Sequence, residues 1–179
     1  MTTLVDRLAS YASYHRDKRN IATHFLGIPM ILLGTQTALA KIGIGPLNLA
    51  VGATAVASRY YQKLDPAWGT AMATVLAASC AAGNALAALP FPLWAGAAGG
   101  LFVGGWALQF LGHLFEGKKP AFMDDLAGLL DGPLFLLAEA AFALGLAPEL
   151  AADIVRRAGP TRWGKAANVV ELVPELAVA

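Results

Sequence analysis

Long apolar runs alternate along this chain with short polar or turn-forming segments. The runs extend from Ile21 to Ala40, Ile42 to Ala57, Ala67 to Leu89, Phe91 to Leu111 and Leu126 to Leu146. A helix needs about 20 residues to cross a hydrocarbon core, so the first, third and fourth runs are long enough. The second, at 16 residues, crosses only with tilt or local thinning of the bilayer. Between them, "KIGIGP" (41–46), "RYYQKLDP" (59–66) and "LPFP" (89–92) carry the Pro and Gly that disfavour a continuous helix. The pattern predicts an all-α, polytopic membrane helical bundle of four spans arranged as two hairpins.

The fifth run contains Asp131 and Glu139 and is followed by Arg156, Arg157, Arg162 and Lys165. Cytoplasmic segments are enriched in Lys and Arg. Four crossings place Arg7, Arg16, Lys18, Arg19, Arg59, Lys63, Lys118 and Lys119 on one side, with Lys41 alone opposite, and an N-terminus in the cytoplasm. A fifth crossing would move four bases to the wrong side, so this region is expected to be a re-entrant or protein-buried helix pair broken near "DGP" (131–133). Residues 1–150 then form a single membrane-embedded domain, and 151–179 a surface-lying tail.

Composition agrees. Hydrophobic residues make up 57% and charged residues 14%, against about 45–50% and 25% in soluble domains; the mean hydropathy is +0.57. A net charge of +1 with scattered bases argues against a nucleic-acid partner. The single cysteine, Cys80, allows no internal disulfide and reads as packing. The first twenty residues lack a continuous apolar core and do not read as a cleaved secretory signal. Small residues crowd the third and fourth runs, where they let helices approach closely and permit a homodimer.

Candidate chemistry is confined to few positions. The three histidines, His15, His24 and His113, all fall at the same membrane face under this topology. His15 and His24 are nine residues apart, about 900° of unbroken helix. They can meet only if the chain turns at "RDKRN" (16–20), with Asn20 or Thr23 capping the next helix. Gly27 and Pro29 are expected to kink that helix and open space beside His24. Gln109, His113 and Glu116 follow i, i+4, i+7 spacing and form one polar stripe. Charge at membrane depth is costly enough that such groups usually face partners within the bundle, here His15 and His24. Imidazole with or without a carboxylate suits Fe(II), Zn(II) or Mn(II). Tyr14, Asn20 and Gln109 are candidate supporting donors, and Arg16, Lys18, Lys118 and Lys119 can attract a carboxylate or meet the membrane surface.

At these same residues the chain resembles a known family. "YHRDKRNIATHFLGIP" (14–29) and "QFLGHLFEGKKPA" (109–121) are similar to the small membrane proteins related to the yeast enzyme for metabolism of phytosphingosine to odd-numbered fatty acids. The similarity spans Leu4 to Leu146. It implies an Fe(II)-dependent fatty acid α-dioxygenase that uses O2 to convert a 2-hydroxy fatty acid into the acid one carbon shorter. It also implies that His15, His24 and His113 are the metal ligands, and that Glu116 binds the iron, acts as a catalytic proton acceptor or orients His113. The Ala- and Gly-rich chain reads as bacterial, placing the protein in the inner membrane with the metal site near the cytoplasmic face. Two other classes remain: a non-catalytic lipid-binding or scaffold protein with a structural metal site, and, more weakly, a transporter.

Overall fold

The computed structural model describes residues 3–45 and 47–164. The protein is an all-α membrane bundle: α1 (Leu4–Ala12), α2 (Lys18–Leu39), α3 (Leu49–Leu64), α4 (Pro66–Ala87), α5 (Phe91–Glu116), α6 (Gly128–Ala143) and α7 (Pro148–Ala158). Three helices, α2, α4 and α5, are long and apolar enough to cross a membrane, and α6 with α7 forms a bent pair with an angle of 119°.

Helices α2 to α5 run alternately up and down, as contacts along their lengths show. Gly69 near the start of α4 lies against Tyr61 and Gln62 near the end of α3, Asn48 at the start of α3 bonds Asn84 near the end of α4, and Trp94 near the start of α5 bonds the Thr37 carbonyl near the end of α2. The described Lys and Arg residues thus gather at the end of the bundle where α2 begins and α5 finishes. Lys41, over the Trp94 ring at the opposite end, is the exception.

The second helix of the bundle is shifted from its expected place. Residues Gly43–Ile44 and Leu47–Asn48 pair as a minute hairpin, and Asn48 caps α3 through the Val51 N–H. Helix α3 then continues through Arg59–Leu64, since nothing there breaks a helix before Pro66. Asp65 alone makes the turn, ending α3 and capping α4. The break expected at "DGP" also lies elsewhere. Helix α6 passes through Pro133 and ends at Ala143; Gly145 (φ +75°) and Ala147 (φ +50°) turn the chain, and Pro148 opens α7. The segment expected as a tail therefore begins with a helix, which packs back on α1. Residues 165–179, the rest of that tail, lie outside the described residues.

The α2–α5 seam positions the site. An added Cβ at Gly27 would meet Gln109 and the Gly105 carbonyl, one at Gly34 the Phe102 nitrogen and Ala98 carbonyl, and one at Gly105 the Gly27 carbonyl at 2.7 Å. Gly27 is filled by α5 and opens no space beside His24. Close approach of this kind replaces the hydrophobic driving force that lipid removes. Gly105→Ala is expected to destabilise the bundle by about 1–3 kcal/mol through overpacking. Gly99→Ala, where an added Cβ meets nothing within 4 Å, should be neutral or slightly stabilising because alanine favours helix. Thermal unfolding in detergent compares them, and equal midpoints would overturn the seam's role.

Candidate metal centre

Helix α1 begins with a capping box, Thr3 and Asp6 exchanging bonds, and buries Leu8, Tyr11 and Ala12. It stops at Ala12, the chain turns through Ser13–Arg16, and Asp17, rather than Asn20 or Thr23, caps α2 by accepting from the Arg19 N–H. This turn brings His15 onto His24. Both are essentially inaccessible to solvent. Helix α5 delivers His113 from the other side, its last turn closed by Gly117 in the left-handed region at φ +73°. Gly112 makes the approach possible, since a Cβ there would stand 2.4 Å from Asn20 Oδ1 and 3.1 Å from His24 Nδ1.

The ring nitrogens are oriented by the backbone. His15 Nδ1 lies 2.7 Å from the Tyr11 carbonyl and His24 Nδ1 lies 2.9 Å from the Asn20 carbonyl. A carbonyl only accepts, so each Nδ1 carries the hydrogen and each Nε2 presents a lone pair. Those two Nε2 atoms face each other at 3.1 Å. Burial, followed by the neighbouring His24, holds His15 well below the ordinary histidine range, so this ring is neutral and adds no proton to the contact. His113 sits with its ring centre 4.9 Å from that of His15 and 5.1 Å from that of His24, and its Nδ1 is buried without a partner. One ligand atom from each ring lies within 4.8 Å of the others. Three buried imidazoles converging, two of them with an Nε2 lone pair turned inward, fit a divalent transition metal, and three protein ligands leave coordination positions open.

Glu116 does something else in this geometry. Its Oε2 accepts from the backbone N–H groups of Arg16 (2.9 Å) and Asp17 (2.7 Å) and from Asn20 Nδ2 (3.2 Å), while Oε1 accepts from Arg162 (2.9 Å). Both oxygens are engaged away from the rings, and the side chain is fully buried. The carboxylate ties the end of α5 to the turn after His15 and, through Asn20, to the residue whose carbonyl orients His24. It thereby joins all three histidine-bearing segments.

The other sequence candidates divide. Asn20 is buried within this network, and Tyr14 enters it by its carbonyl, which Asn20 Nδ2 bonds, while its phenol donates to Asp124. Arg16 is neither a surface contact nor a free cation: buried, it donates to the carbonyls of Ala12, His15 and Gly159. Lys18 lies over the Trp163 ring, Lys118 donates to the Ser13 carbonyl and Lys119 pairs with Asp124. These lysines stand outside the site.

Sequence reasoning missed a strap. Arg162 exchanges backbone bonds with the turn beside His15, its N–H donating to the Arg16 carbonyl and its carbonyl accepting from the Lys18 N–H, both at 2.8 Å. No motif marks it, because its only signal is an unremarkable arginine after the last apolar run. Tyr11 was also missed. Its ring stacks on His15 at 4.1 Å between centres.

Beside His113 opens a cavity of about 410 Å³, walled by α2, α5, α6 and the 120–122 segment. Its lining is apolar apart from Tyr11, Thr35, Trp106, Gln109 and His113, and it contains no Lys, Arg, Asp or Glu. It follows α5 from His113 back to Phe102, roughly 16 Å at 1.5 Å per residue. Phe102 and Leu129, on its two sides, are each more than 40% exposed, so the cavity opens laterally between α5 and α6.

A family profile described as "2-hydroxy-palmitic acid dioxygenase Mpo1-like" matches residues 1–144. The 2-hydroxy-palmitic acid dioxygenase MPO1 of Saccharomyces cerevisiae is 30% identical over 155 residues, covering 84% of this chain and 87% of the yeast protein. No solved structure matches. Matched over most of its length and carrying the histidine cluster just described, the chain belongs to the Mpo1-like family.

Proposed function

We propose that the protein is an Fe(II)-dependent α-dioxygenase acting on 2-hydroxy fatty acids. The observation that carries this reading is the apposition of three buried imidazoles at the polar end of a long apolar cavity. The named activity of the yeast relative adds the substrate class. The overall conversion, R–CH(OH)–COOH with O2 giving R–COOH, CO2 and H2O, balances in atoms and electrons without a separate reductant.

His15, His24 and His113 would hold the iron, which when bound supplies a Lewis acid and a redox partner for O2 with open positions. The carbonyls of Tyr11 and Asn20 keep two of the rings in the ligating tautomer. Tyr11, stacked on His15, and Gly112, pressed on α2, close the cluster to bulk water. The cavity receives the alkyl chain, and its lateral mouth suits a substrate that arrives from the bilayer. With the cavity free of cationic side chains, the substrate's carboxylate is left to the metal end. Glu116 acts as the positioning residue for the three ligands.

Residues 1–150 constitute one catalytic unit in this proposal, with the strap around Arg162 bracing it. Clustering of the described bases at the site end favours a cytoplasmic-facing site in a bacterial inner membrane. Anaerobically purified protein is expected to bind about one iron per chain, as three converging ligands predict, and to consume O2 with 2-hydroxyhexadecanoate, releasing pentadecanoate. Metal bound with no O2 uptake on any 2-hydroxy acid would instead identify a lipid-binding protein with a structural metal.

A further inference from the structure

Gln109 is 5% exposed, and its side-chain Nε2 is buried with no hydrogen-bonding partner among the described residues. Such a group is costly inside an apolar bundle, and native structures rarely leave one without a reason. Its place is specific. Gln109 lies one turn before His113 on the same face of α5, and both line the cavity. It fits there because Gly27 has no side chain: a Cβ at that position would stand 2.3 Å from Nε2. Trp106, on the turn before, lines the same cavity, and its buried indole N–H also lacks an acceptor.

An apolar cavity with an unsatisfied amide beside a metal-ligand cluster asks for an amphiphile with a polar, uncharged group next to its metal-seeking end. A half-turn about the last side-chain bond of glutamine exchanges acceptor for donor, so the amide meets a hydroxyl in either sense. We propose that Gln109 recognises the 2-hydroxyl of the substrate and is the residue that selects 2-hydroxy acids over unsubstituted fatty acids. The proposal rests on the dioxygenase reading above and deepens it. Its physical basis is that a site built to bond a hydroxyl rejects the analogue lacking it, because the protein's own polar group is then left unpaired. Gln109 is needed for selection, and the histidines hold the metal without it.

The test is binding rather than turnover. Iron-loaded protein held anaerobic in nanodiscs is titrated with 2-hydroxyhexadecanoate and with hexadecanoate, using displacement of a fluorescent fatty acid. Wild type should prefer the hydroxy acid by at least about 10-fold, the scale of one satisfied buried polar group. Gln109→Leu should bind the two acids alike, with iron content unchanged and hexadecanoate bound as well as or better than by wild type. Gln109→Met, of similar length and no polarity, should behave the same and serves if the leucine variant misfolds. A wild-type preference retained in either variant overturns the assignment. Equal binding of both acids by wild type overturns it while leaving the dioxygenase reading standing. Failure of wild type to bind either acid overturns both.

Discussion

Alanine at His15, His24 or His113 is expected to abolish both metal binding and O2 uptake, with affinity falling by more than the 10–100-fold typical of losing an outer partner of a metal ligand. Stabilisation of the fold by the metal should be lost with it. Metal at 100 times its Kd should stabilise wild type by about 2.7 kcal/mol and the three variants by nothing. Metal analysis together with thermal unfolding, with and without Fe(II), reads both effects. One metal per chain surviving in any single variant would remove that residue from the ligand set.

Substitution of Glu116 should behave differently in kind. Glu116→Ala takes the acceptor from two backbone N–H groups, Asn20 and Arg162 together. Leaving a buried donor unsatisfied costs about 1–3 kcal/mol, and the two buried N–H groups together should appear as a large fall in the unfolding midpoint. Glu116→Gln keeps the shape and one carbonyl acceptor, so it should retain one metal per chain while weakening affinity by about 10–100-fold. Arg162→Met should give a milder version of the same phenotype, and the double variant with Glu116→Ala should be less than additive. Complete metal loss in Glu116→Gln, matching the histidine variants, would make the carboxylate a ligand. Strict additivity would detach Arg162 from the site.

How much of this was legible in the sequence follows from what each signal reports. Apolar runs and turn residues located the bundle and placed all three histidines at one end, because topology alone brings the start of α2 and the end of α5 together. The i, i+4, i+7 stripe correctly put Gln109, His113 and Glu116 on one face, and in the structure all three are buried. Helix ends were harder. In a chain this apolar, amphipathic periodicity is weak, so the end of α3 depended on Asp65 at the close of "RYYQKLDP", and the break after α6 on Gly145, Ala147 and Pro148 rather than on "DGP". The division of labour along the stripe was also hidden. Spacing cannot tell that Glu116 turns toward backbone N–H groups while His113 turns toward the rings, since that depends on where α1 ends.

The strap has a consequence for biogenesis. His15 and His24 leave the ribosome early, His113 about ninety residues later and Arg162 later still, as their order in the chain dictates. Chain emerges at about 5–20 residues per second, so the first two histidines spend several seconds as an incomplete pair before the third arrives. Glu116 gains its arginine only once residues 159–162 lie down beside Arg16. The centre is thus closed by nearly the last described part of the protein to be made. A chain truncated before that point is expected to hold its histidines less firmly, because Glu116 loses its arginine partner.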